Sequence, residues 1–437
     1  MERDQFGVRG ARGPMYGQGQ LLEFGPFRAD TLSNCLFRSG ETVELRPKVF
    51  QVLCTLVSHE GQFVAYDQMI QEAWDANLVS KHTVAVTVGE VKKILQEYGS
   101  WITYRDKLGY QFKVPRSEEL IRRAWHCFNR HTREGLEKAI QYFHRAAEED
   151  SSDFRAYEGA SSALLHVAIW GMHPPRQAYV KFLDAHGHAV ALRGLTPELR
   201  ADRAHGLHIF ERNLEKAETE LLQARRERPE LAQIQVRLAT LYLSMGRFED
   251  SGAVLDEASR CDELSPLVAA TRIGLNISAR RYEDALVCGR QAVELHPYHH
   301  RLRFHYARSL EMAGHLKEAL EEYRHAIRVS EDLFWLRAME GACLAKIGQE
   351  GEALSVLGEL KELRTNEYVD SYPLALFYDA LGMCEEAIAE LQRACEDNSP
   401  WLRTLNVDPG LDALRKDPRF AQIVKQAFGR PPAHCAS

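Results

Sequence analysis

The chain has 437 residues, of which 45% are apolar and 27% charged, and a net charge of −7 at pH 7. That length and composition fit a globular chain of two to four domains with large cores, and the charge excludes a generic polyanion binder. The charge is uneven, however: residues 1–116 hold 14 Lys/Arg against 13 Asp/Glu, and the remainder holds 41 against 49.

Residues 1–20 carry five Gly and no apolar periodicity, and are predicted to be a disordered tail without the apolar core of a signal peptide. From 21 to 45 the runs LLEFGPFRAD, CLFRSG and ETVEL read as short strands, with Ser39-Gly40 as a turn. Pro47 then opens a helix with Val49, Phe50, Leu53, Leu56 and Val57 on one face, and Gly61 ends it. A short helix follows Tyr66, with Asp67 as its expected cap, and a third runs from about Ser80 to Glu97. WITYRDKLGYQFKV alternates like a hairpin with Gly109 near its tip. Strands, three helices and a hairpin make the ground plan of a winged helix-turn-helix, whose third helix is offered to the DNA major groove.

From Ser117 the chain turns helical, and a repeat of 34 residues emerges. A loop residue recurs at Arg212, Gly246, Arg280, Gly314, Gly348 and Gly382. Small residues follow five positions later, at Ala217, Ser251, Ala285, Ala319, Ala353 and Ala387. A third series is Ala224, Ala258, Ala292, Ala326, Leu360 and Ala394. Small residues at fixed points let paired helices approach closely, and the pattern resembles the tetratricopeptide repeat. An earlier copy fits around Glu134 and Ala139, with surplus residues expected in a loop insertion near 171–180, where Pro174-Pro175 breaks the helix. The expected organisation is a winged-helix domain at 21–115, about seven or eight tetratricopeptide-like hairpins at 116–401, and capping helices with a tail at 402–437. The predicted class is thus multidomain: an N-terminal α+β winged helix-turn-helix followed by an all-α solenoid.

FGPFRAD, GETVELRPKVFQVLCTLV, GQFVAYDQMIQEAW, TVAVTVGEVKKIL and LGYQF, in that order, resemble the OmpR/PhoB-type winged-helix domain over about residues 21–114. The overall type is similar to CadC-like and HilA-like regulators, with no receiver domain expected before residue 21. On the third helix, Val84, Val88, Val91 and Leu95 form an inward stripe. The resemblance implies contacts to bases or phosphates from His82, Thr83, Val86, Thr87, Glu90 and Lys92. Lys81, Lys92, Lys93, Arg105 and Lys107 are expected to supply phosphate contacts. The family often has Arg where this chain has Glu90, and again at Asp106, so weaker or differently specific binding is expected.

In the repeats, the family register places Gln233, Val236, Arg301, Phe304, Arg308, Trp335, Tyr372 and Asp379 along a concave groove suited to a protein or peptide segment. The same residues would serve equally well to pack one hairpin on the next. The histidines of HPYHHRLRFH are not read as a metal site, and the nine Cys contain no C-x-x-C and fit buried thiols in a reducing cytoplasm. No nucleotide-loop, nucleophile-elbow or zincin motif occurs, so neither an enzyme nor a cofactor is expected. The longest nearly apolar stretch, Ala163 to Trp170, is too short to span a bilayer. The sequence therefore predicts a soluble, cytoplasmic, DNA-binding transcription regulator whose repeats hold a regulatory protein or self-associate. The alternative is a scaffold whose winged helix no longer binds DNA.

Overall fold

The computed structural model describes residues 20–38, 40–74, 79–330 and 333–429. The expected tail (Gln20 apart), Ser39 of the expected turn, and Cys435 lie outside them. The chain divides into two compact units, 1–122 and 123–437.

In the first unit, β1 (Leu21–Phe24), β2 (Phe27–Asp30), β3 (Cys35–Arg38) and β4 (Glu41–Val43) form an antiparallel meander. Helices α1 (Pro47–Ser58), α2 (Tyr66–Ala73) and α3 (Lys81–Leu95) follow, with the short β5 (Phe63–Val64) between the first two. The closing hairpin, β6 (Ile102–Arg105) and β7 (Gly109–Phe112), joins β5 in a sheet ordered β5-β7-β6. Alternate apolar residues of the meander, Phe27, Ala29 and Leu36, meet Phe50, Leu53 and Leu56 of α1 in one core with Val84, Val88, Val91 and Leu95. Asp67 falls in the first turn of α2, and the N-cap position belongs to Ala65, whose side chain makes no cap bond. Gly109 is a position that only glycine fits: its φ is +100°, and a Cβ there would sit 2.1 Å from the Val64 carbonyl oxygen.

Helix α4 (Arg116–Phe128) leads into the second unit, whose elements among the described residues are all helical. Hairpins follow as α5 (Arg133–Glu149) with α6 (Phe154–Ile169), then α7 (Pro175–Arg193), α8 (Pro197–Gly206, extended by a widened turn to Glu211) and α9 (Leu214–Glu227). The regular repeats are α10 (Ala232–Ser244) with α11 (Phe248–Cys261), α12 (Pro266–Ser278) with α13 (Tyr282–Leu295), and α14 (His300–Met312) with α15 (Leu316–Ser330). They continue as α16 (Phe334–Ile347) with α17 (Glu350–Leu363) and α18 (Ser371–Ala380) with α19 (Cys384–Asp397). The 34-residue register is visible in the backbone. Arg212, Gly246, Arg280, Gly314, Gly348 and Gly382 all have positive φ. The next residue's N–H reaches back to the carbonyl five residues earlier in Arg247→Tyr242, Arg281→Asn276, His315→Leu310, Gln349→Leu344 and Met383→Tyr378. The small residues of the second series, from Ala217 to Ala387, are 0% exposed, which is the close helix approach that their size predicts.

Gly171 makes the same turn, with Met172 N–H on the Val167 carbonyl. The surplus length is therefore not a loop insertion at 171–180. It is carried by longer helices: α5, α6 and α7 have 17, 16 and 19 residues, against 13 and 14 in α10 and α11. Pro175 is tolerated because it opens α7.

The array curves until its first hairpins meet its last. Arg133 pairs with Glu367 at 2.8 Å, Arg176 donates to the Glu396 carbonyl at 2.7 Å, and the Trp170 and Trp335 rings lie 5.9 Å apart. After α19 the chain forms three short 3₁₀ turns (Pro400–Thr404, Pro409–Leu411, Leu414–Lys416), and α20 (Pro418–Phe428) then packs on α19. No helix among the described residues is long and apolar enough to cross a membrane.

Candidate nucleic-acid interface and repeat axis

The start of α3 is pinned locally. The Ser80 hydroxyl accepts the Thr83 N–H at 3.1 Å, satisfying a donor that the first helical turn leaves free. The inward stripe then fixes the helix rotation, since Val84, Val88, Val91 and Leu95 are at most 1% exposed. Lys81, His82, Thr83, Val86 and Lys93 are consequently exposed, and Glu90 and Lys92 are half-buried. Thr87 departs from the expected set. It is buried, and its hydroxyl donates to the Thr83 carbonyl at 2.9 Å, so it has no free donor for a base. It sits three residues after Val84 and four before Val91, inside the apolar stripe.

The hairpin supplies the second part of the face. Arg105, Asp106, Lys107 and Leu108 are exposed around its tip, where Lys107 adopts φ +64°. An aromatic cluster joins this wing to α3. Tyr66 packs against Tyr104 and Tyr110 with centroids 6.2 and 5.7 Å apart, and the Lys81 ammonium lies 5.3 Å over the Tyr66 ring. Arg105 lies 5.6 Å over Phe63. One residue of this surface has no counterpart among the expected positions. Arg46, just before α1, forms an ion pair with Glu90, its Nη2 donating to both carboxylate oxygens. Glu90 is therefore paired within the domain, to a largely exposed arginine, and Asp106 is the remaining acid of the expected face. Nothing in helical periodicity links positions 44 residues apart, so no local signal reveals Arg46.

Five of the predicted groove residues converge on the axis of the array and are not open, whereas Gln233 is exposed and Asp379 half-buried. Phe304, Arg308, Trp335 and Tyr372 are buried, and Arg301 is half-buried. Their cover is the chain itself. The turn that follows α19 runs back along the axis and sets Trp401 against Phe304, Trp335 and Tyr372, with centroids 5.8, 5.3 and 6.2 Å apart. Asp408 accepts from Arg308 at 2.9 Å and from the Tyr372 hydroxyl at 3.0 Å. Glu311 completes the network, bound by Arg308, Lys346 and Tyr323. The cations around Glu311 overcome its burial and hold its carboxyl down at about 2. The expectation of an open peptide groove at these five residues is corrected accordingly: residues 399–411 occupy it. This segment carries no repeat marks, and its sequence predicts no more than a cap at the end of the array.

The neighbouring histidines are neutral. Burial, followed by the Arg301 charge, holds His299 at about 4 and His300 and His305 at about 3. Among the described residues no three His, Cys, Asp or Glu are grouped to hold a metal ion. Eight described cysteines are free thiols, and burial pushes Cys54 and Cys343 up to about 12.

Comparison with known proteins bears on the N-terminal unit. Residues 40–112 match the family described as transcriptional regulatory protein, C terminal. Over 102 residues the chain is 24% identical to the transcriptional activator CadC of Escherichia coli, which covers 22% of this chain and 20% of CadC. Over 78 residues it is 36% identical to the transcriptional regulatory protein CutR of Streptomyces coelicolor, covering 18% of this chain and 36% of CutR. The match thus spans well under half of either relative. Among solved structures, the chain is similar to TTC0263, a thermophilic TPR protein of Thermus thermophilus, at 20% identity and a TM-score of 0.38, covering 44% of this chain and 98% of that one. A tetratricopeptide repeat protein of Parabacteroides merdae is similar at 13% identity and a TM-score of 0.35, covering 71% of this chain and 98% of that one. The N-terminal unit carries an OmpR/PhoB-type winged-helix domain, and the repeat assignment of the second unit stands on its own 34-residue register.

Proposed function

We propose that this chain is a DNA-binding transcription regulator whose repeat array is its regulatory module. The observation that carries the reading is the face of α3 and the wing. It presents five Lys/Arg, a hydroxyl, an imidazole and an exposed valine, and its one recognition-helix acid is already paired to Arg46. In this reading His82, Thr83 and Val86 face base edges in the major groove, with Val86 suited to a thymine methyl. Lys81, Lys92, Lys93, Arg105 and Lys107 hold the phosphates and set the register. Glu90 accepts from cytosine or stays with Arg46. The repeats receive a protein partner or a second copy of the chain. A peptide entering at Arg301, Phe304, Arg308, Trp335 and Tyr372 has to displace residues 399–411.

Selection of bound genomic fragments, followed by mobility shift on the recovered sites, tests the DNA reading. Replacing Lys93, Arg105 and Lys107 with Ala should weaken binding to every sequence and flatten the salt slope by about 0.9 for each phosphate no longer neutralised. Arg46→Ala should weaken binding by leaving the Glu90 charge bare, and Glu90→Gln in the same chain should restore it. Absence of sequence-selective binding at low salt sinks this reading in favour of a scaffold.

A further inference from the structure

Inside the repeat array lies a cavity of about 160 Å³, bounded by α6, α8, α10, α12, α14 and the segment that returns along the axis. Its volume is close to the roughly 150 Å³ of an engineered cavity that holds one benzene ring. Its lining differs from such an apolar void in one respect: it is cationic. Arg237, Arg301, Arg403, His166, His205 and His305 all face it, and among the described residues no Asp or Glu does. Of the three arginines, Arg237 has a carboxylate partner, the buried Asp202.

No acid acts on Arg301 among the described residues, and Arg403 makes no ion pair there although it feels the Asp370 charge. Arg301 lies 4.0 Å over the Trp170 ring, and its Nε is buried with no hydrogen-bond partner. Arg403 donates to the Pro400 carbonyl at 2.7 Å. His205 Nδ1 is likewise buried and unpartnered. Burial, with Arg403 close by, pulls Arg301 down to about 9, and burial pulls Arg403 down to about 10. Both therefore remain charged at neutral pH. A half-buried charge with no ion-pair partner is unfavourable, and polar groups buried in proteins are otherwise paired. Two planar guanidiniums beside neutral imidazoles match a carboxylate or phosphate group, which accepts from such forks bidentately. Trp170, Ile169, Val236 and Leu267 complete the wall with apolar surface.

We propose that this cavity is a binding site for one small organic anion, its carboxylate or phosphate head on Arg301 and Arg403 and its flat apolar body against Trp170 and the aliphatic wall. Arg403 belongs to the returning segment and Arg301 to α14, so the occupant also ties that segment to the array. The site gives the repeat array a small-molecule input. It does not depend on DNA binding by the winged helix, and it can be tested without DNA.

The test uses the full chain in low-chloride buffer, with benzoate and phenyl phosphate as probes, inorganic phosphate for the head group alone, and benzamide as the neutral shape control. Calorimetry measures binding, and tryptophan fluorescence reports it from Trp170 in the wall. Saturable binding of benzoate or phenyl phosphate, at least about tenfold tighter than benzamide, is expected. Arg301→Met and Arg403→Met should each remove that preference. Arg301→Met should also raise the melting temperature without ligand, because an uncompensated charge leaves the interior. If Arg301→Met fails to fold, Arg403→Met and the anion-to-benzamide ratio in the unaltered chain carry the test. Saturation by inorganic phosphate with no gain from a ring assigns the head-group site and overturns the apolar-body part. The proposal is overturned outright if no anion binds saturably, if benzamide binds as well as benzoate, or if the Met variants keep the affinity.

Discussion

Asp408→Ala should loosen the axis of the repeat array without touching any hairpin. Asp408 is buried and accepts from Arg308 at 2.9 Å, from the Tyr372 hydroxyl at 3.0 Å and from the Gly410 N–H at 2.8 Å. Removing one member of a buried ion pair costs about 3–5 kcal/mol, because the remaining charge is left desolvated. Here Glu311 stays within 3.3 Å of Arg308, so the expected loss is at the lower end, about 3 kcal/mol. Asp412→Ala is the matched control. Its pairs with Arg280 and Arg415 lie at the surface, Asp412 itself being 52% exposed, and such pairs contribute about 0.5 kcal/mol or less each. Urea unfolding of the full chain, followed by tryptophan fluorescence, measures both, since Trp401 and Trp335 sit 5.3 Å apart beside the returning segment. The reasoning fails if Asp408→Ala unfolds within about 0.5 kcal/mol of the parent, or if Asp412→Ala costs as much.

Acid should destabilise the array early. Burial holds His131, His166 and His299 at about 4 and His208, His300 and His305 at about 3, against about 6.5 in the unfolded chain. The unfolded chain takes up protons first, so the stability tied to these groups is complete above about pH 6.5 and is lost as pH falls toward 4, at up to about 1.4 kcal/mol per pH unit for each proton. Asp370 and Glu158, raised by burial to about 6 and about 7, have the opposite sign and weaken the fold as pH rises through those values, but these two stand against six histidines. A urea midpoint that stays level from pH 7 to 5 would contradict neutral burial of the six. In the first unit, Gly109→Ala should cost more than about 2 kcal/mol and weaken DNA binding, because its Cβ would strike the Val64 carbonyl. Gly61→Ala, at φ +81° with nothing within 4 Å, should cost only about 1 kcal/mol. Equal melting temperatures for these two variants would refute the steric argument.

What could be read from the sequence was periodic or local. The 34-residue spacing located every turn from Arg212 to Gly382, because a left-handed turn residue and a small helix-packing residue leave marks at fixed offsets. The valine stripe fixed which side of α3 faces outward. The same stripe, taken one residue wider, removes Thr87 from the residues expected to touch DNA. What could not be read was pairing between distant positions. Arg46 with Glu90, and Trp401 with Phe304 and Trp335, obey no period, and the chemistry of those residues fits many partners. The groove register names residues that the fold brings to the axis. Only the tertiary path of residues 399–411 shows that the axis is filled.

That path changes what kind of object the array is. A solenoid whose units touch only their neighbours can gain or lose a unit and melt from either end. Here Arg212 holds Asn398, Arg133 holds Glu367 and Arg308 holds Asp408. The early helices thus complete their interior only with residues 367–408 in place. Contacts of such long range bind the repeats into one cooperative body rather than a row of independent units.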